Sequence, residues 1–104
     1  MEVIDGYNGG GDGRTVVASA GTPVQISATS VSCRRVTIQA ETDNTGRIAV
    51  GLTSSIVATE GAASRGVMLP SGGDSVDVYI NDLDKVYIDS TVSGDGVNYV
   101  YYTG

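Results

Sequence analysis

The feature that most constrains the fold of this chain is a regular alternation of polar and apolar residues within residues 34–53. Residues 35–40 read Arg-Val-Thr-Ile-Gln-Ala, and residues 47–53 resume the alternation after a polar break. A period of two residues is typical of a β-strand with one buried face, and two such runs around a polar turn predict a β-hairpin. The apolar face of the predicted hairpin consists of Val36, Ile38 and Ala40 on one strand and Ile48, Val50 and Leu52 on the other.

The same pattern recurs along most of the chain, and no segment sustains the apolar period of a helix. Short alternating runs are separated by turns rich in Gly, Pro, Asn and Asp, and residues 54–64 form a longer link that we expect to cross between two sheets. About eight strands at this spacing are typical of a sandwich or barrel. The sequence predicts an all-β fold, a single antiparallel β-sandwich that is jelly-roll-like. An immunoglobulin-like sandwich is the competing fold, but the chain has no Trp and one Cys.

The length of 104 residues predicts one domain with a core of its own. Residues 1–13 stand apart because four of residues 9–13 are glycine, and glycine loses the most backbone freedom when it is ordered. We therefore predict a flexible, Gly-rich N-terminal arm over 1–13 and a β-sandwich domain over 14–104. A frayed terminus without a role is the alternative interpretation of the arm.

The charge of the chain bears on its partners. Twelve acidic and six basic residues give a net charge of −6, which argues against nucleic acid and anionic membranes, since both attract clustered Lys and Arg. No apolar run approaches the ~20 residues that span a bilayer. The N-terminus lacks the basic and apolar regions of a signal peptide, so synthesis in a cytoplasm is expected. Cys33 is the single cysteine and predicts no intrachain disulfide.

Residues that carry out chemistry are scarce. The chain has no His, which removes the commonest general base and metal ligand. The glycine-rich stretch is not a phosphate-binding loop, since no Lys-Ser/Thr pair follows it. Carboxylate pairs such as Asp82 with Asp84, or Asp74 with Asp77, are better explained by turns. We predict no enzyme, no catalytic residue and no cofactor.

Calcium is the better-posed chemical alternative, although no loop has the EF-hand spacing. Acidic and amide side chains that lie in turns would have to meet at one end of the sandwich, and we predict no metal site. The residues that this alternative invokes are Glu41, Asp43, Asn44, Asp82, Asp84 and Asp95.

The tyrosines carry a second signal. Tyr79 and Tyr87 are opposite in phase to their apolar neighbours, so they share an outer face if their strands pair around Asn81. The last strand places tyrosine on both of its faces. Tyrosine is common at protein interfaces, although cross-strand pairing on a wet sheet face is the alternative. The predicted partner interface comprises Val3, Ile4, Tyr7, Arg35, Arg47, Tyr79, Tyr87, Tyr99, Tyr101 and Tyr102.

Two stretches resemble a known protein family. Residues 33–40 followed by 44–51, and residues 82–89 followed by 94–97, resemble the pattern of small β-structured virion proteins of tailed bacteriophages. The resemblance covers roughly residues 22–103. It implies a capsid cement or head-decoration protein with a jelly-roll-like sandwich that commonly works as a trimer over capsomer junctions.

The resemblance and the residue pattern lead to one functional expectation. We expect a non-enzymatic virion protein on the capsid surface, made in the host cytoplasm, with the major capsid protein and itself (as a homotrimer) as partners, and with neither nucleic acid nor membrane. The alternative is a carbohydrate- or receptor-binding β-sandwich module of a phage tail or fibre. The stacking faces of that module would be Tyr79, Tyr87, Tyr99 and Tyr101, although the absence of Trp makes it less attractive.

Overall fold

The chain folds into eight β-strands and one 3₁₀ turn, as seen in a computed structural model that describes residues 9–59 and 65–104. The 3₁₀ turn covers Leu83–Lys85. The strands are β1 (Gly9–Val16), β2 (Val24–Gln25), β3 (Arg35–Ala40), β4 (Ile48–Gly51), β5 (Val67–Leu69), β6 (Ser75–Val78), β7 (Tyr87–Ser90) and β8 (Gly96–Thr103).

The strands form two four-stranded antiparallel sheets with the orders β1-β8-β3-β6 and β2-β7-β4-β5. Among the described strands, only β4 and β5 follow each other within one sheet, and every other connection crosses to the opposite sheet. This alternation between two packed sheets is the jelly-roll arrangement. The predicted antiparallel, jelly-roll-like β-sandwich of about eight strands is confirmed.

The predicted hairpin within residues 34–53 is wrong. Strand β3 pairs with β6 and β8, whereas β4 pairs with β5 and β7 in the other sheet. The two apolar faces therefore meet across the core instead of lying side by side, and residues 41–47 carry the chain between the sheets. Leu52 lies beyond β4 and is 54% exposed.

The link over residues 54–64 was expected to cross between sheets, and this is also wrong. Strands β4 and β5 pair with each other, with Ile48 opposite Leu69. The small side chains of this link let part of it lie against the outer face of its own sheet, where Ile56 and Ala58 are buried with Ala49. The link therefore connects two neighbouring strands of the same sheet.

The main core lies between the sheets and is aliphatic, since the chain has neither Phe nor Trp. Inward positions alternate with outward ones along the central strands, as the period of two predicts. The buried cluster consists of Val17, Ile26, Cys33, Val36, Ile38, Ala40, Ile48, Val50, Leu69, Leu83, Val86, Ile88 and Val97.

The glycine-rich stretch is part of the sandwich. Residues 9–13, predicted to belong to the arm, form the first part of β1, which pairs with β8 along its whole length. Gly11 and Gly13 lie opposite Tyr101 and Tyr99, and a Cβ atom on either glycine would come within 2.6 Å of the facing tyrosine hydroxyl. The tyrosine rings occupy the space that these glycines leave. Residues 1–8 lie outside the described residues.

Candidate interaction surface

The tyrosines of strand β8 lie on both faces of its sheet, as the sequence predicted. Tyr99 and Tyr101 pack against the main core with their ring centroids 6.4 Å apart. Burial raises the pKa of Tyr99. Tyr102 points to the opposite, outer face. Two of the tyrosines predicted for a partner interface are thus part of the interior packing.

Arg35, Tyr79 and Tyr102 form a cluster on the outer face of the β1-β8-β3-β6 sheet, here termed the tyrosine ridge. Arg35 is paired with Tyr102 in the sheet register, and its guanidinium carbon lies 4.2 Å from the Tyr102 ring centroid. A cation at this distance over a tyrosine face is attracted by the ring. Hydrogen bonds raise the pKa of Arg35; the bond with Tyr102 is the largest cause and the bond with Tyr79 is the second. The ridge thus joins three predicted interface residues through a cation–π contact and hydrogen bonds.

Hydrogen bonds tie the ridge to the rest of the outer face. The pKa of Tyr102 is lowered, and a hydrogen bond with Thr37 is the largest cause, followed in size by one with Arg35. The Thr37 hydroxyl donates to Asp77 Oδ1 at 2.7 Å. Beside the ridge is a shallow depression of about 360 Å³. Its lining comprises Asp12, Gly13, Thr37, Gln39, Ser75, Asn98, Tyr99 and Val100.

An apolar groove of about 420 Å³, here termed the edge groove, lies where β5 and β6 meet at one side of the sandwich. Among the described strands, β5 pairs with β4 alone and β6 with β3 alone, so both are edge strands. Leu52, Val67 and Tyr79 are 54%, 52% and 70% exposed there. The lining comprises Val50, Gly51, Leu52, Gly66, Val67, Val76, Asp77, Val78 and Tyr79.

The predicted interface residues do not form one surface. Tyr79 and Tyr87 were expected to share a face across a turn, but Tyr79 follows β6 and Tyr87 begins β7 in the other sheet. Tyr87 is half-buried against the small cluster around Ile56. Arg47 is exposed in the connection between β3 and β4. Val3, Ile4 and Tyr7 lie outside the described residues.

The acidic residues of the calcium alternative lie at opposite ends of the sandwich. Asp82 follows β6, near the start of β3, and Asp95 precedes β8, near the end of β3. Asp95 accepts hydrogen bonds from the backbone N–H groups of Thr45 and Gly46. Within residues 9–59 and 65–104, no three Cys, Asp or Glu side chains group closely enough to hold a metal ion. The turns that the calcium alternative requires to meet therefore lie apart.

The suggested carboxylate pairs are engaged in hydrogen bonds within the fold. Asp82 accepts from the hydroxyl of Ser30 and from the backbone N–H groups of Asp84 and Val31. These bonds lower the pKa of Asp82 to about 2, and the bond from the Ser30 hydroxyl makes the largest contribution. Asp74 accepts from the backbone N–H of Ser71. Such bonds are those of carboxylates that stabilise turns.

Asp89 is a structural residue that the sequence pattern did not reveal. It is fully buried, and its carboxylate accepts from the backbone N–H groups of Gly21 at 3.0 Å and Ala58 at 2.7 Å. Its phase in β7 predicts an outward side chain, which is correct for the strand. The segment that covers Asp89 belongs to the link after β4, and no local sequence pattern predicts this contact.

Comparison of the chain with protein-family models, with curated proteins and with solved structures gave no significant match. In the part of the chain that the structure describes, no helix is long and apolar enough to cross a membrane.

Proposed function

We propose that this chain is a non-enzymatic structural protein of a tailed-phage particle, which binds neighbouring major capsid subunits on the capsid surface and stabilises them. The residues that carry the resemblance to such virion proteins fall on the strands and turns of the jelly roll, with residues 33–40 spanning β3 and residues 82–89 entering β7. Jelly rolls recur in viral capsid proteins and in lectins. The resemblance and the topology thus support the same class of protein.

The observation that carries the proposal is the tyrosine ridge. Tyr and Arg are the side chains most enriched at the energetic centres of protein interfaces. Here Arg35 is held between two tyrosines on the outside of a sheet, with Tyr79 70% exposed. Because Arg35 and Tyr102 lie on paired strands, this part of the ridge is preorganised for a partner. Many modest contacts on one particle would add up to stable attachment.

Particles assembled without this chain provide the test. The purified chain is added to capsids of the major capsid protein encoded nearest to it, and the bound copies per particle and the temperature of capsid disruption are measured. We expect saturable binding and a higher disruption temperature. Capsids that bind no chain, or that bind it with no gain in stability, would contradict the proposal.

Variants of Tyr102 assign the contact to the ridge. Tyr102→Ala removes the ring under Arg35 and is expected to weaken capsid binding by about tenfold or more, as for an interface hot spot. Tyr102→Phe keeps the ring and should retain most of the binding. Val92→Ala is the matched control, since Val92 is an exposed apolar residue in the connection between β7 and β8. Equal binding by all three variants would remove the ridge from the interface.

A carbohydrate-binding module is the second candidate, favoured by the polar depression beside the ridge. Asp12 and Asn98 line it, and sugar hydroxyls suit carboxylate and amide partners. Of the four tyrosines that were expected to stack on sugars, Tyr99 and Tyr101 pack against the core and Tyr87 against the small cluster. Glycan-array binding that Asn98→Ala abolishes would favour this candidate. An array without hits, together with particle binding, would favour the capsid role.

A further inference from the structure

Strand β1 is the longest edge strand of the sandwich. Among the described strands it pairs with β8 alone, in an unbroken register of eight residues. The other edge strands, β2, β5 and β6, have two, three and four residues. Natural sheets protect their edges with short strands, proline, lysine or a bulge. Strand β1 has none of these devices, so its free side fits an added extended strand.

The backbone groups on the free side of β1 belong to its even-numbered residues. In an antiparallel pair, alternate residues bond to the partner strand, and the residues between them direct their N–H and C=O groups to the other side. Val17 continues the β1–β8 register, and its N–H donates to the carbonyl of Asp95. The odd-numbered residues of β1 therefore bond to β8. The outward backbone groups are those of Gly10, Asp12, Arg14 and Val16.

We propose that β1 pairs with β1 of a second copy of this chain, antiparallel and centred on Gly13. In this register Asp12 lies opposite Arg14 of the second copy, and Gly10 lies opposite its Val16. Each of these pairs exchanges two backbone hydrogen bonds. Every outward N–H and C=O group of β1 then has a partner in the other copy, so the strand is complementary to itself. The inference concerns the purified chain and does not depend on the capsid role proposed above.

The charges of β1 select this register over its neighbours. A shift by two residues in one direction places Asp12 opposite Asp12 of the other copy, and a shift in the other direction places Arg14 opposite Arg14. Like charges directly opposite each other across a strand pair are destabilising. Both shifts also leave one outward residue of β1 without a partner in the facing strand. Because Arg14 already contacts Glu41 through Nε and Nη2, the charges act by excluding the shifted registers and no new ion pair is needed.

The proposed contact has a consequence for assembly. The same strand is used by both copies, so the contact is isologous and closes at two copies. It joins the two β1-β8-β3-β6 sheets into one sheet of eight strands. The two-fold axis is perpendicular to this sheet, so both outer faces point the same way and the dimer displays two tyrosine ridges on one surface. A dimer differs from the trimer that the resemblance implies, and the mass of the assembly decides between them.

A charge swap between two variants tests the contact. Asp12→Arg and Arg14→Asp each place like charges opposite each other across the two-fold axis, so each alone should raise the dissociation constant of the dimer at least tenfold. An equal mixture of the two variants places opposite charges at both positions and should restore dimers, which sedimentation equilibrium measures. Asp74→Arg is the matched control, since it makes the same change of charge in the exposed turn before β6 and should leave the dimer intact. An unmodified chain that is a monomer or a trimer, or a mixture no tighter than the single variants, would overturn the inference.

Two backbone measurements complete the test. Asp12→Pro removes one outward N–H but no bond to β8, and proline is tolerated where an edge strand faces solvent. We expect this variant to keep the circular dichroism spectrum and to be a monomer, whereas Asp12→Ala, which keeps the N–H, should remain a dimer. A dimer that survives Asp12→Pro would overturn the inference.

Amide hydrogen exchange reads the proposed bonds directly in the unmodified chain. The N–H groups of Gly10, Asp12, Arg14 and Val16 should exchange slowly at concentrations where the chain is a dimer and at least tenfold faster on dilution to the monomer. Fast exchange of these amides in the dimer, or equal protection in the monomer, would overturn the inference. A dimer that passes these tests without binding capsids would leave this inference standing while the capsid role fails.

Discussion

At the scale of single residues, several carboxylates accept hydrogen bonds from backbone N–H groups in loops, namely those of Asp74, Asp82, Asp89 and Asp95. Asp89 joins the turn at Gly21 to the link at Ala58, and Asp95 holds the connection at Thr45 and Gly46. A carboxylate bonded to two N–H groups satisfies donors that would otherwise be buried without a partner. These carboxylates therefore help to fix long connections on a small aliphatic core.

Replacing Asp89 tests this role. We expect Asp89→Ala to lower the free energy of unfolding by about 2–4 kcal/mol, because two backbone donors lose a charged acceptor inside the protein. Asp89→Asn keeps the volume and one acceptor oxygen, so its loss should be smaller. Urea denaturation followed by circular dichroism measures both. Asp74→Ala is the control for an exposed turn carboxylate, and an equal effect at both sites would contradict the assigned role of Asp89.

Asp82 gives stability a defined pH dependence. Hydrogen bonds from Ser30 and from backbone N–H groups lower its pKa from 3.8 to about 2 in the folded chain. A depressed folded-state pKa favours folding above the unfolded-state pKa, and this contribution is lost as the pH falls through the folded-state value. We expect the melting temperature to fall between about pH 4 and pH 2. Asp82→Asn should flatten this part of the profile, and an unchanged profile would contradict the prediction.

At the scale of elements, β1 and β8 depend on each other. The glycines of β1 leave room for the rings of Tyr99 and Tyr101, and those rings cover a strand that has little side-chain surface of its own. Aromatic side chains that cover glycines across a strand pair stabilise such pairs. The glycine-rich stretch is thus matched to its partner strand, although its composition alone suggests a flexible arm.

Two truncations separate the arm from the strand. Deletion of residues 1–8 is expected to leave the melting temperature of the fold nearly unchanged, since β1 begins at Gly9. Deletion of residues 1–13 removes most of β1 and exposes two tyrosine rings, so we expect a loss of at least about 2 kcal/mol. Thermal denaturation measures both. A 1–13 deletion as stable as the full chain would show that the β1–β8 pairing contributes little.

The positions of the strands could be predicted from the sequence, but their partners could not. Alternation is local, so residues 35–40 and 48–51 were identified as strands with one apolar face. Two inward faces look the same in sequence whether their strands are neighbours in one sheet or face each other across a core. Hence β3 and β4 were wrongly paired, as were the strands of Tyr79 and Tyr87. The edge groove was missed for the same reason, because it requires knowing which strands are edges.

At the scale of the whole molecule, the two ends of the described chain lie side by side. Gly9 is paired with Thr103 in the β1–β8 ladder. Among the described strands, all pairs except β4 with β5 join strands that are not consecutive in sequence. Such topologies fold slowly, in about milliseconds to seconds. Because Gly9 and Thr103 are paired, we expect that joining the two ends disturbs no strand.

A circular permutant tests whether the two ends can be joined without disturbing the fold. Gly104 is linked through residues 1–8 to Gly9, and new ends are opened between Thr53 and Ser54, which are exposed. Because the joined ends already lie beside each other, we expect the same circular dichroism spectrum and a melting temperature within about 5 °C of the original. Circular dichroism and thermal denaturation measure both, and a permutant that fails to fold would contradict the prediction.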